Sequence, residues 1–203
     1  MKRKQLEISL SSLARNPKPK IRFEEYDLDP RSASTIVHIA ASLGDVEGKQ
    51  VVDLGCGVGI LSIGAAMMGA SRVVGVDIDK DSIKVAVQNM KSLGARVEFI
   101  SGSIDCVRGA FDTTIMNPPF GSWRRGLDVS FLRKSLAISD ITYSVHKASD
   151  RSDLFLRKKI QTMGKEARNL GRVEITLRRT YDFHQKSKYA VYAYLYRIGF
   201  QST

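Results

Sequence analysis

An α/β fold with a doubly covered, mostly parallel sheet is what this sequence predicts, and three observations predict it. From residue 50 onward, apolar runs of strand length alternate with helical segments, the pattern of a parallel sheet with helices on both faces. A glycine-rich loop, Asp53-Leu54-Gly55-Cys56-Gly57-Val58-Gly59, joins the first of these runs to a helix. A rigid turn, Asn117-Pro118-Pro119-Phe120, follows the fourth run. Ligands of such sheets gather at the carboxyl ends of the strands, so loop and turn are expected at one sheet edge.

The elements follow in order. Leu6, Leu10 and Leu13 recur at helical spacing, which predicts a helix over 3–14 ended by Asn16-Pro17. Ile21 to Tyr26 reads as extended, and Ser32 or Ser34 as the cap of a helix that stops at Gly44. Strands are expected at Gln50–Leu54, Arg72–Asp77, Arg96–Ile100, Phe111–Met116 and Ile141–Val145. The helices between them run from Gly59 to Met68, from Asp79 to Leu93 and over 128–138, with a long basic helix at 150–169. Arg172–Arg179 and Lys188–Ile198 read as a strand pair joined by a loop, an antiparallel addition to the sheet.

The chain has 203 residues, 43% of them apolar, enough for one domain and its core. It lacks an apolar run of membrane-spanning length and a secretory leader, so a soluble cytoplasmic protein is expected. Cys56 and Cys106 form no CxxC pair, and three dispersed histidines suggest no metal centre. The net charge of +11 is unevenly placed: +6 over residues 1–22, −3 over 23–150 and +8 over 151–203. Basic flanks around a near-neutral middle fit a polyanion, most simply nucleic acid.

The Gly-x-Gly-x-Gly spacing of residues 55–59 lacks the lysine of a phosphate-binding P-loop and the last glycine of a dinucleotide site. It suits a cofactor without pyrophosphate. Asp77, at the end of the next strand, is placed to accept hydrogen bonds from ribose hydroxyls. S-adenosylmethionine meets these requirements. Its site would draw on Asp53, Gly55, Gly57, Val58, Gly59, Ile60, Asp77 and Ile78, with Ser103, Ile104 or Asp105 near the adenine. Cys56 is expected to pack beneath the loop, since no neighbour in sequence lowers its pKa.

The turn supplies what an aromatic amine needs from a methylating site. Such a nitrogen shares its lone pair with the ring, and acceptors for its protons favour the tetrahedral form of the transition state. The Asn117 side-chain oxygen and the Pro118 carbonyl can converge on that amine, with both prolines fixing the backbone. Phe120 offers a face for stacking a base. No strong base is needed, because the proton can leave after the nitrogen becomes cationic.

With both motifs in view, the chain resembles class I S-adenosylmethionine-dependent amino-methyltransferases. More closely, it is similar to the methyltransferase-like protein five family, adenine-N6 methyltransferases of small-subunit ribosomal RNA. The likeness is carried by Glu24-Glu25-Tyr26, Leu61-Ser62-Ile63-Gly64, Gly75-Val76-Asp77-Ile78-Asp79, Ile115-Met116-Asn117-Pro118-Pro119-Phe120-Gly121, Tyr143-Ser144-Val145-His146-Lys147 and Phe183-His184. It implies a seven-stranded Rossmann-like sheet in three α/β/α layers, with an antiparallel edge strand. One domain would then comprise a helical extension, residues 1–45, that helps bind cofactor and RNA, and a core, 46–203. It also implies cofactor contacts at Glu25, Leu28, Gly55, Val58, Ile60, Asp77 and Ser103, and catalysis at Asn117, Pro118, Pro119 and Phe120. Glu25-Tyr26-Asp27-Leu28 departs from the family's Gln-Tyr-Pro-Thr, and Ser103 stands where the family has an acid. Eukaryotic members use a small zinc-binding activator protein that pairs with a sheet edge, a partner this chain could share.

RNA contacts are expected from Trp123, Arg124, Arg125, His146, Lys147, Phe183, His184, Lys186 and Lys188, with further phosphate contacts from Lys2, Arg3, Lys4, Lys18, Lys20, Arg178 and Arg179. The expected activity is methyl transfer to adenine N6 in RNA, ribosomal RNA above all. The alternatives are another amino-methyltransferase, acting on guanine N2, DNA adenine or protein glutamine, or a non-catalytic RNA-binding protein.

Overall fold

The computed structural model describes residues 1–17, 28–119, 126–178 and 188–200. Among these residues, seven strands form one sheet in the order β3-β2-β1-β4-β5-β7-β6. The strands are β1 (Gln50–Leu54), β2 (Arg72–Asp77), β3 (Glu98–Ser101), β4 (Phe111–Met116), β5 (Ser139–Lys147), β6 (Glu166–Arg178) and β7 (Lys188–Gly199). The first five run parallel, and β7 is antiparallel to both β5 and β6. The antiparallel strand is therefore β7, which lies between β5 and β6 and not at the expected edge; the outer strand β6 runs in the direction of β1–β5. This is the expected class I methyltransferase sheet.

The helices are α1 (Arg3–Leu10), α2 (Pro30–Ser42), α3 (Ile60–Met67), α4 (Lys80–Ser92), α5 (Leu127–Ile138) and α6 (Asp150–Gln161). Alternate residues of each strand feed opposite faces, as the pleat requires. Val51, Ile115, Tyr143, Val145 and Leu195 join α1, α2 and α3 in one apolar cluster. Val52, Leu54, Val76, Met116 and Ile198 meet Phe131 and Leu132 of α5 and Leu156 and Ile160 of α6 in the other. Two apolar layers thus clamp the sheet, the three-layer arrangement expected.

Several boundaries differ from expectation for local reasons. α1 stops at Leu10 rather than at residue 14, where Ser11 and Ser12 turn their hydroxyls back onto the carbonyls of Glu7 and Ser9. The cap of α2 is Asp29, not Ser32 or Ser34: its carboxylate accepts the Ser32 amide at 3.0 Å, and Pro30 takes the first helical position. The Ser32 hydroxyl lies between two acceptors, the Asp29 carboxylate at 2.6 Å and the Glu174 carbonyl of β6 at 2.7 Å, which share its one proton. The long basic helix ends at Gln161, because Gly164 turns left-handed at φ 71° and residues 166–169 enter β6. The extended reading of Ile21–Tyr26 lies outside the described residues.

Candidate active site

Sheet register builds the site. Asp53 of β1 is level with Gly75 of β2 on one side and Ile115 of β4 on the other. Asp77 is the last residue of β2, Gly55 follows the last residue of β1 and Asn117 the last residue of β4, so all three stand at the carboxyl edge of neighbouring strands. Two inter-strand steps separate β2 from β4, about 10 Å.

The glycine loop takes its shape from three left-handed residues, Gly55 (φ 74°), Gly57 (φ 53°) and Gly59 (φ 84°). The amides of Gly55 and Cys56 both donate to the Val76 carbonyl, at 2.9 and 3.0 Å, which holds the loop to β2. At Gly59 a Cβ would meet the Phe99 ring at 2.7 Å and Ala86 at 3.2 Å, so this glycine permits helix–sheet packing. At Gly57 a Cβ would meet nothing within 4 Å. Open space beside a backbone that also approaches Asp77 is the cradle a cofactor requires.

Asp77 holds that cradle in place. One carboxylate oxygen accepts the Gly57 amide at 2.8 Å and the other accepts the Asp79 amide at 2.8 Å. It does not cap α4; Asp79 does, accepting the amides of Asp81 and Ser82. The carboxylate has more acceptor positions than the backbone amides of Gly57, Ile78 and Asp79 fill, and burial raises its pKa against the pull of these amides. Ile78 beside it is an exposed apolar side chain, as a surface for a flat ring would be.

Asp53 is 1% exposed. Its Oδ2 accepts both the amide and the hydroxyl of Ser62, at 3.0 and 2.6 Å. Its Oδ1 has no hydrogen-bond partner among the described residues. Burial, ahead of all else, raises its pKa to about 7. An unsatisfied buried carboxylate oxygen beside an open cradle fits a cofactor that carries an ammonium group. Cys56 is buried and its thiol pKa is pushed well up, first by desolvation, as befits a packing role.

The remaining cofactor candidates divide by depth. Val58 is buried and Ile60 packs against the α1–α3 layer, so each presents its backbone to the loop rather than its side chain. Leu28 is likewise a core residue at 4% exposure. Ser103 caps a 3₁₀ turn, Ile104–Cys106, and its hydroxyl exchanges hydrogen bonds with Asp105, accepting the amide at 3.3 Å and donating to the carboxylate at 3.1 Å. Ser103 and Asp105 thus act together. Ile104 packs against the α5–α6 layer. Glu25 lies outside the described residues.

Asn117 leaves β4 half-buried, followed by buried Pro118 and half-buried Pro119. His146 is no surface residue: it is 8% exposed, with Nε2 2.7 Å from the Ser144 hydroxyl and its ring edge-on to Tyr196. Desolvation lowers its pKa to about 4, so the ring is neutral at physiological pH. Lys147 beside it is exposed. Arg3 and Lys4 both pair with Glu7, at 3.2 and 3.1 Å, which turns part of the amino-terminal charge back onto α1. Phe120, Trp123, Arg124, Arg125, Phe183, His184, Lys186, Lys18, Lys20 and Arg179 lie outside the described residues, while Lys188 opens β7 and Arg178 closes β6.

Sequence reasoning missed Asn89. It is 2% exposed on the inward face of α4, with Ser82, Ile83 and Ala86. A polar residue at an inward helical position is the signal that could have found it, because such a group needs partners.

Comparison with known proteins agrees with this geometry. The family model for ribosomal protein L11 methyltransferase matches residues 37–117, the stretch from α2 to Asn117. The rRNA N(6)-adenosine-methyltransferase Mettl5 of Drosophila melanogaster is 34% identical over 93% of this chain and 92% of its own. The Danio rerio protein of that name is 34% identical over 92% of this chain and 93% of its own. A crystal structure of a candidate RNA methyltransferase from Pyrococcus horikoshii, 35% identical, superposes with a TM-score of 0.91 over 98% of both chains. With identity above 30% sustained from end to end and the sheet order, glycine loop and Asn-Pro-Pro turn all in place, this chain belongs to the Mettl5 family of methyltransferases.

Proposed function

We propose that this protein is an S-adenosylmethionine-dependent methyltransferase that modifies the exocyclic N6 of an adenine in RNA, with ribosomal RNA as the substrate. The observation that carries the reading is the placing of Asp77, Gly55 and Asn117 at the carboxyl ends of the adjacent strands β2, β1 and β4, which sets a cofactor cradle beside an amine-binding turn. The Drosophila melanogaster and Danio rerio relatives, which match more than nine-tenths of the chain, carry names of ribosomal RNA adenosine methyltransferases. The L11 methyltransferase match, by contrast, ends at Asn117 and so covers the cofactor half.

The bound cofactor supplies an electrophilic methyl group on a sulfonium. Asp77 accepts the ribose hydroxyls, Gly57 leaves room for the ligand, and the Asp53 Oδ1 takes the ammonium. The Asn117 carboxamide oxygen and the Pro118 carbonyl accept the amine protons of adenine, and Phe120 stacks on the ring. The proton then passes to water. Residues 1–45 act as an extension of the core domain, and basic residues at both ends of the chain grip phosphates. β3, the sheet's outer strand beside β2, offers an edge where a small zinc-binding activator could add a strand.

Incubation of the protein with labelled cofactor and ribosomal RNA fragments, with and without such an activator, tests the reading after digestion to nucleosides. Label in N6-methyladenosine is expected. Label in guanosine alone, or only in protein, would overturn it.

Asp53 adds a pH signature. A carboxyl group raised to about 7 is mostly protonated below that pH, whereas an ammonium partner calls for the anion. Cofactor binding therefore releases a proton, and affinity should strengthen as pH rises from 5.5 to 7, then level off. Calorimetry across this range should show that profile, and Asp53→Asn should flatten it. A flat profile in the unaltered protein would remove Asp53 from ammonium pairing.

A further inference from the structure

Asn89 joins two segments far apart in sequence. Its Oδ1 accepts the Ala14 amide at 2.8 Å, while its Nδ2 donates to the Ala14 carbonyl at 2.9 Å and to the Val58 carbonyl at 3.0 Å. The orientation of the carboxamide is forced, since an N–H only donates and both carbonyls only accept. Val58 lies between Gly57 and Gly59, so this bond fixes the peptide at the centre of the cradle. Two residues beyond Ala14, the Asn16 Nδ2 donates to the Ser82 hydroxyl at 2.9 Å and to the Asp79 carboxylate at 3.3 Å. The Asp79 amide in turn donates to Asp77. Asn16, Asp79, Ser82 and Asn89 are each under 9% exposed, so water does not replace a lost partner cheaply.

The geometry points to Asn89 and Asn16 as positioning residues for the cofactor, and to residues 14–16 as the segment that braces its site from behind α4. Asn89 acts through the Val58 carbonyl of the glycine loop; Asn16 acts through Asp79 on the Asp77 carboxylate. Both routes start from the same short segment and end on the two elements that form the cradle. Cofactor binding and docking of residues 14–16 are therefore linked, and linkage is reciprocal: whatever tightens one tightens the other. This inference rests on the proposed use of S-adenosylmethionine and goes beyond it, since it assigns two residues that touch no ligand.

S-adenosylhomocysteine, the unreactive product form, is the probe. Calorimetric titration of the full chain should give affinities at least fivefold weaker for Asn89→Ala and for Asn16→Ala, with the double variant weaker by less than the product of the two. Turnover at saturating cofactor should stay within threefold, so that the loss appears in KM rather than kcat. In the unaltered protein the Ala14 amide should exchange with deuterium more slowly when the probe is bound; in Asn16→Ala that slowing should vanish. Should Asn89→Ala fail to fold, Asn16→Ala decides the matter alone. Unaltered affinity in the folded variants, or Ala14 exchange indifferent to the probe, would overturn the inference while leaving the cofactor assignment standing. Failure of the unaltered protein to bind the probe would overturn both.

Discussion

Asn117→Ala is expected to abolish methyl transfer while leaving cofactor affinity within a few fold. The residue follows the last residue of β4, at the same sheet edge as Gly55 and Asp77 but outside the hydrogen bonds that shape the cradle. Its proposed task is confined to the reacting amine, where an acceptor matters most as the nitrogen gains tetrahedral character. Removing one preorganised group of this kind costs about 100- to 1000-fold in kcat. The alanine also leaves the Pro118 carbonyl and the proline-fixed backbone intact, so any residual rate reports the carbonyl alone. Single-turnover methylation and calorimetry on the same preparation separate the two quantities. Turnover within tenfold of the unaltered protein would refute the role given to this residue.

Asp77→Ala should act in the opposite sense, on binding before chemistry. The carboxylate accepts the amides of Gly57 and Asp79, each at 2.8 Å, and the ribose hydroxyls are expected to share its remaining acceptor positions. Hydrogen bonds to a charged group contribute about 1.5–3 kcal/mol each, so losing those to the ligand and relaxing the loop should weaken cofactor binding by roughly 100-fold or more. Asp77→Asn keeps the shape but sets an amide donor against a backbone N–H, and should fall between the two. Calorimetry with S-adenosylhomocysteine checks the order. Equal affinity across the three proteins would remove the ribose assignment.

The strands that build the site were legible because local and global signals agree there. β1, β2 and β4 have the predicted bounds: each is an apolar run opened at its outer end and closed by a glycine, an acid or Asn117. The glycine loop and the paired prolines announce themselves through backbone chemistry that few other residues can supply. Less legible was anything decided by a partner distant in the chain. Asn89 reads as one polar residue among several in α4, and only the fold brings Ala14, 75 positions away, against it. His146 is expected beyond the end of its strand, among the RNA contacts, yet β5 runs on to Lys147 and buries the imidazole against Tyr196. The long helix read over 150–169 overran its end at Gln161, because Lys165 and Arg168 resume the basic composition beyond it and charge carries no mark of where a helix hands over to a strand. Gly164 was the better marker.

The position of β7 has a consequence for how the molecule is made. Among the described residues, β7 is the strand that pairs with β6, and it is also the bridge from β6 to β5. During translation, β1 to β5 can zip together in order as they emerge. β6 must then wait without a strand partner until residues 188–199 clear the ribosome and slot in beside it, leaving its apolar side chains, Val173 and Ile175 among them, less covered than in the finished sheet for that interval. The nascent chain is thus most vulnerable to aggregation and to chaperone capture just before its final strand appears.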